Sequence, residues 1–141
     1  TLRCLISLLH PLVSDAESII RQHLASQLLP LSVACMFDTP NPPSPFLKEG
    51  ETRKYHAQGY KIVTSSILNH LNNLVVDSDV DVRKAASDTL ATLALYIKQE
   101  DIAPMILPIP LRLAHEQKQR QGNNLVSKIE KDSVNRAEDL R

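Results

Sequence analysis

LNNLVVDSDVDVRKAASDTLATLALYI, residues Leu71–Ile97, is the stretch whose reading decides the fold. Upstream and into it, Val63, Ile67, Leu71 and Leu74 step by four, four and three residues. That spacing places one apolar stripe along a helix over Ile62–Val76. An acidic turn follows, Asp77-Ser78-Asp79-Val80-Asp81. Val82, Ala86, Leu90, Leu93 and Ile97 then step by four, four, three and four. Ser78 with Asp81 has the spacing of a capping box, and acidic groups in a first turn suit the helix dipole. The stretch therefore predicts two tightly joined antiparallel helices, each with one apolar face.

The same pattern stands near the start of the chain. Ile20, Leu24, Leu28, Leu31 and Cys35 lie 62 residues before Val82, Ala86, Leu90, Leu93 and Ile97 (82 − 20 = 62, and so on through 97 − 35). At the same offset Asp15 aligns with Asp77, Arg21 with Arg83, Leu9 with Leu71 and Leu12 with Leu74. Ser14 and Glu17 again have capping-box spacing. Apolar, acidic, basic and capping positions agree at one offset, which makes this an internal repeat. A single two-helix unit cannot bury both its faces, so neighbouring units must stack. The expected fold is all-α, an α-solenoid of about three helical hairpins.

An acidic turn, a β-branched residue followed by Arg, and small and leucine residues at helical spacing together resemble the HEAT repeat. Asp15 with Ile20-Arg21 and Asp77 with Val82-Arg83 carry that resemblance. More narrowly, Leu12–Cys35 and Leu71–Leu95 look like N-terminal repeats of the protein phosphatase 4 regulatory subunit 1 family, related to the scaffold subunit of type 2A phosphatases. The resemblance implies a right-handed array and a non-catalytic regulatory role. It also implies a ladder in which Asp15, Arg21, Asp77 and Arg83 bond between adjacent repeats, and turns that contact a phosphatase catalytic subunit. Asp15, Glu17, Asp77, Asp79 and Asp81 would form the partner-binding edge, suited to Arg or Lys on the other side. The resemblance further implies a cytoplasmic protein, with the nucleus as a second compartment.

Composition agrees with such a part. Sixteen basic and sixteen acidic residues cancel, so nothing draws the chain broadly to nucleic acid or an anionic membrane. No apolar run is long enough to span a bilayer. Leu2–Val13 is interrupted by Arg3, Ser7, His10 and Pro11 and lacks the pattern of a signal peptide. Tryptophan is absent and aromatics are few, so the core is expected to be Leu, Ile, Val and Ala. Cys4 and Cys35 lie on apolar stripes and read as buried, reduced thiols. The chain begins inside an apolar pattern, and Asp139-Leu140-Arg141 resembles Asp81-Val82-Arg83. Both ends read as internal to a longer array.

In chain order, hairpin one covers residues 2–37. Its first helix, Leu2–Val13, carries Leu2, Leu5, Leu9 and Leu12 and is bent or ended by Pro11. Its second, Ala16–Phe37, is expected to bend near Ser26–Gln27 without breaking, because Pro30 falls inside it while the stripe continues through Leu31 and Cys35. Residues 38–54, DTPNPPSPFLKEGETRK, break the pattern, and Pro40, Pro42, Pro43 and Pro45 exclude a helix. This insertion reads either as a flexible surface loop or as a docking loop with Phe46 and Leu47 as apolar anchor. Hairpin two covers residues 55–99, with Gly59 delaying firm helix to about Tyr60 and a second helix over Val80–Gln99. A partial hairpin three covers 102–141. Its first helix is kinked by Pro108 and Pro110, a polar loop spans Glu116–Asn124, and a poorly buried or frayed helix follows from Leu125.

Catalytic chemistry finds no foothold. Gly50, Gly59 and Gly122 are too scattered to cradle phosphate. His10, His23, His56, His70 and His115 show neither i, i+4 pairing nor Cys/His clustering. His115 and Glu116 are helical neighbours that point about 100° apart. Neither an enzyme nor a cofactor is expected. The alternative to a phosphatase scaffold is a HEAT-type adaptor in nuclear transport or another protein assembly.

Overall fold

The structure is a computed structural model and describes residues 2–39, 41 and 43–139. The expectations for the Leu2 side chain, Pro40, Pro42 and the Leu140-Arg141 pair lie outside the described residues. The protein is all-α: no strand occurs among the described residues. The chain divides into two units, residues up to 109 and residues from 110 on.

The first unit holds two helix pairs. Helix α1 is Leu2–Val13 and α2 is Ser18–Met36. Helix α3, Ala57–Ile62, runs through a π-helical turn at Val63–Ile67 into α4, Leu68–Leu74. Helix α5 is Val80–Ala94. Corresponding members of the pairs are neighbours: α1 lies against α4, and α2 lies along α5 in the most extensive helix contact of the unit. A buried hydroxyl joins the latter two, Thr89 Oγ1 donating to the Ala25 carbonyl at 2.8 Å.

The core is the apolar stripes read from spacing. Val63, Ile67, Leu71 and Leu74 of the second pair are buried, as are Val82, Ala86, Leu90, Leu93 and Ile97. In the first pair the burial is one-sided. Leu9, Leu24, Leu28 and Cys35 are covered, whereas Leu5, Leu12 and Ile20 each remain 39% exposed. Ile67, Leu74 and Val82, their repeat mates, are buried in the pair whose helices lie against α1 and α2.

Several expectations are corrected. Cys4 is exposed, while Cys35 is buried; no disulfide joins them. One expectation stands beside these: helix α2 runs unbroken through Pro30 to Met36, as the continuing stripe implied. Helix α5 ends at Ala94, where the Leu95 and Tyr96 amides turn back to Thr92 and Leu93 in tight i→i+3 bonds. Ile97 is buried from that turn rather than from the helix.

Helix α3 begins at Ala57, ahead of Gly59. The glycine does not delay the helix, because the His56 ring caps it by accepting from the Gly59 amide at 3.0 Å. It is instead the point of closest approach to α2. A Cβ there would stand 1.7 Å from the Cys35 carbonyl oxygen.

After α5 come the one-turn helix α6, Gln99–Asp101, a π-helical turn at Ile102–Ile106, and helix α7, Pro108–Asp139. Pro108 and Pro110 occupy the first turn of α7, where a missing N–H costs nothing, so they start that helix rather than kink one. Ile106 and Ile109 are buried in the first unit.

The second unit is a single helix, the body of α7. The polar loop expected at Glu116–Asn124 is helical, and among the described residues no second helix follows it as a third hairpin would require. Lys, Arg, Glu and Gln are good helix formers, one glycine costs only about 1 kcal/mol, and an Arg112–Glu116 pair at 3.1 Å supports the turn i to i+4.

Candidate functional site: an edge built by two repeated turns

The turns Ser14–Glu17 and Asp77–Asp81 are built the same way. The Asp15 Oδ1 accepts from the Glu17 amide at 2.9 Å, and the Asp77 Oδ1 accepts from the Asp79 amide at 2.9 Å. These are Asx-turns, the local bond that makes Asp favourable here. One turn into each second helix an arginine folds back over its own turn. Arg21 Nη1 donates to the carbonyls of Asp15 and Ala16 at 2.6 and 3.2 Å. Arg83 Nη1 donates to those of Asp77 and Ser78 at 2.7 and 3.0 Å. Each of these bonds recurs at an offset of 62 residues.

Arg21 also crosses between the pairs. Its Nε and Nη2 donate to Asp77 Oδ2 and Oδ1 at 2.9 and 3.0 Å, a two-bond fork. The two side chains are only 12% and 11% exposed. Partial burial opposes ionisation of Asp77. The bonds from Arg21 and the Asp79 amide, with the charges of Arg21 and Arg83, outweigh it and hold the carboxyl below its ordinary value. The hydrogen bond to Asp77 likewise holds the guanidinium of Arg21 protonated against desolvation. Among the described residues neither Arg83 nor Asp15 has such a partner: Arg83 donates to carbonyls, and the Asp15 carboxylate makes no ion pair.

The helix starts differ from the capping boxes expected at Ser14/Glu17 and Ser78/Asp81. The N-caps are Glu17 and Asp79, again 62 apart. Asp79 takes the extended backbone a cap needs, and its Oδ1 accepts from the amides of Asp81 and Val82 at 2.9 and 3.2 Å. Glu17 has the same backbone form but makes no side-chain cap bond, its longer side chain being a poor cap.

The five acidic residues thus separate by task. Asp15 and Asp77 shape their turns, and Asp77 also receives Arg21. Asp79 is half-buried and caps α5. Glu17 and Asp81 are exposed. Asp81 stands beside Gln22, Lys84 and Asp88 in a groove of about 410 Å³ between α2 and α5.

A second cluster escaped the sequence reading. Four of the chain's five Phe and Tyr residues gather where α2 ends, α3 begins and α5 ends. Tyr55 packs edge-on to Tyr60 with centroids 4.8 Å apart, and Phe37 lies 5.2 Å from Tyr55 and 6.0 Å from Tyr96. Lys98 Nζ stands 4.8 Å over the Tyr60 ring. The Tyr60 hydroxyl donates to Asp101 and accepts from the Lys98 amide; burial and Asp101 push its pKa well above the ordinary tyrosine value. The available signal was position: Phe37 and Tyr55 flank the insertion at its two ends.

No group of three or more His, Cys, Asp or Glu among the described residues is placed to hold a metal ion. No described helix is long and apolar enough to cross a membrane. Comparison of the chain with protein-family models, with curated proteins and with solved structures finds no match.

Proposed function

We propose that the chain is a HEAT-type α-solenoid segment serving as a non-catalytic scaffold or regulatory subunit of a type 4 or 2A-like Ser/Thr phosphatase. The observation that carries this reading is the Arg21–Asp77 fork. It ties the turn of the first pair to the turn of the second, so that both turns stand in fixed register on one edge. Like helices packed side by side, with bonds recurring every 62 residues, are what a stacked repeat requires. Glu17 and Asp81 are the exposed acidic groups of that edge and would meet Arg or Lys on a catalytic subunit. The mechanism is positional: a rigid stack holds the phosphatase on one edge and substrates on another surface.

Affinity capture with the whole chain tests the reading. Recovery of a phosphatase catalytic subunit, reduced when Glu17→Lys and Asp81→Lys are combined while helicity stays unchanged, is the expected result. Recovery of a small GTPase without any phosphatase would replace it with the transport-adaptor reading. Unaided hydrolysis of a phosphoester by the purified chain would overturn both.

A further inference from the structure

Residues 38–54 leave α2 and come back to the place they left. The His56 amide donates to the Met36 carbonyl at 2.8 Å, and the aromatic cluster closes over that junction. From there Arg53 reaches back into the insertion. Its Nη2 donates to the carbonyls of Ser44 and Pro45 at 2.9 and 2.7 Å, and its Nη1 to the Leu95 carbonyl at the end of α5 at 2.6 Å. The guanidinium carbon lies 5.1 Å from the centre of the Tyr96 ring. Its Nε is buried and has no hydrogen-bond partner. A full positive charge is thus held against neutral carbonyls, with the Nε donor unused and, among the described residues, no carboxylate in an ion pair with it.

Beside it stands Ser44, exposed, its hydroxyl oxygen accepting from the Phe46 amide at 3.2 Å. The next residue is Pro45. Proline disfavours helical backbone at the residue before it, which biases Ser44 toward the extended backbone of a kinase substrate. We propose that Ser44 is a phosphorylation site for a proline-directed Ser/Thr kinase, and that Arg53 receives the phosphate and tightens the insertion onto the end of α5.

In the reaction the Ser44 oxygen attacks the γ-phosphorus of ATP. The new O–P bond forms as the bond to the β,γ-bridging oxygen breaks, ADP leaves, and the hydroxyl proton passes to the kinase base. The product carries about −1.5 to −2 charges and three acceptor oxygens. Arg53 already bonds the carbonyl of this same residue through Nη2, which can turn to the phosphate while Nη1 keeps the Leu95 carbonyl. Thr39-Pro40 is the other hydroxyl–proline pair in the sequence. Thr39 donates to the Asn41 carbonyl at 2.8 Å and receives nothing from Arg53, so it lacks the receiving charge.

The test uses the whole chain, Mg-ATP and a purified kinase of the cyclin-dependent class, with peptide mapping and hydrogen exchange. Phosphate is expected on Ser44 and absent from Ser44→Ala. Amides over residues 43–54 are expected to exchange roughly fivefold more slowly after modification. In phosphorylated Arg53→Gln that slowing is expected to vanish, and the ³¹P titration of the phosphoserine to move to higher pH. Modification confined to Thr39, no modification of the folded chain, or slowing and titration that are the same with and without Arg53 would each overturn the proposal.

Discussion

Gly59 and the Cys35 carbonyl meet backbone to backbone. A Cβ at Gly59 would lie 1.7 Å from the Cys35 oxygen and 2.6 Å from its carbon, both main-chain atoms that no rotamer change can move. Gly59→Ala is therefore expected to destabilise the first unit by about 3 kcal/mol. Gly122→Ala provides the contrast. It lies inside α7 with no atom within 4 Å of the added Cβ, so helix propensity alone acts and α7 should gain about 1 kcal/mol. Urea unfolding of the first variant and the helical circular dichroism of the second measure the two effects; unchanged stability in Gly59→Ala would mean α2 and α3 do not approach this closely.

The Arg21–Asp77 fork makes a prediction about coupling. Asp77→Asn and Arg21→Gln are each expected to lower the unfolding midpoint, and the double variant to lose less than the sum of the two. Coupling follows because the pair makes two bonds and is mostly shielded from solvent. Asp81→Asn, at an exposed carboxylate of the same turn, should leave the midpoint unchanged within about 0.5 kcal/mol. Strict additivity of Arg21 and Asp77 would contradict the fork.

The two N-caps should respond unequally although they are repeat mates. Asp79→Ala removes an acceptor from two amides and is expected to cost about 1 kcal/mol. Glu17→Ala removes no cap bond and should change stability by less than about 0.5 kcal/mol. Guanidinium unfolding midpoints of the two variants, taken side by side, decide this. Restoration of stability by Asp79→Ser would identify capping as the cause.

Acid should weaken the fold in a predictable order. Burial holds the His70 pKa below its ordinary value, and the charge of His10, whose ring centre is 6.1 Å away, adds to that. A depressed folded pKa means that the stabilising contribution is complete above the unfolded value near 6.5. It is lost as pH falls from there through the folded pKa. Asp77, also depressed, has the same sign at lower pH: its contribution is complete above about 4 and lost as pH falls further. Stability from urea unfolding is therefore expected to decline below about pH 6.5, and His70→Gln to flatten that first decline. An unchanged pH profile in His70→Gln would remove His70 as its source.

Spacing sufficed for the stripes of the second pair because both of its faces that matter are met by neighbours: Ile67, Leu74 and Val82 are buried where periodicity placed them. The same rule put Leu5, Leu12 and Ile20 on apolar stripes, and they are exposed. Periodicity identifies a face that wants covering; it does not supply the cover. The repeat likewise located the turns and the arginines. It did not tell which residue caps, because Ser78 and Asp79 are both good caps and the backbone form of the turn chooses between them.

The order of residues alone determined an all-helical chain, a repeat of 62 positions, and an insertion that four prolines keep from being helical. These follow from local backbone preference and from the rotation per residue of a helix, which need no distant partner. Only the folded arrangement decided that Gly59 is a contact point, that Arg21 spans to Asp77, that Arg53 is fastened across the insertion to the end of α5, and that residues 108–139 form one helix instead of a returning pair. Each of those depends on groups far apart in the chain meeting at a few ångströms, or failing to meet. Such encounters are set by how whole helices lie against one another and leave no local mark in the sequence.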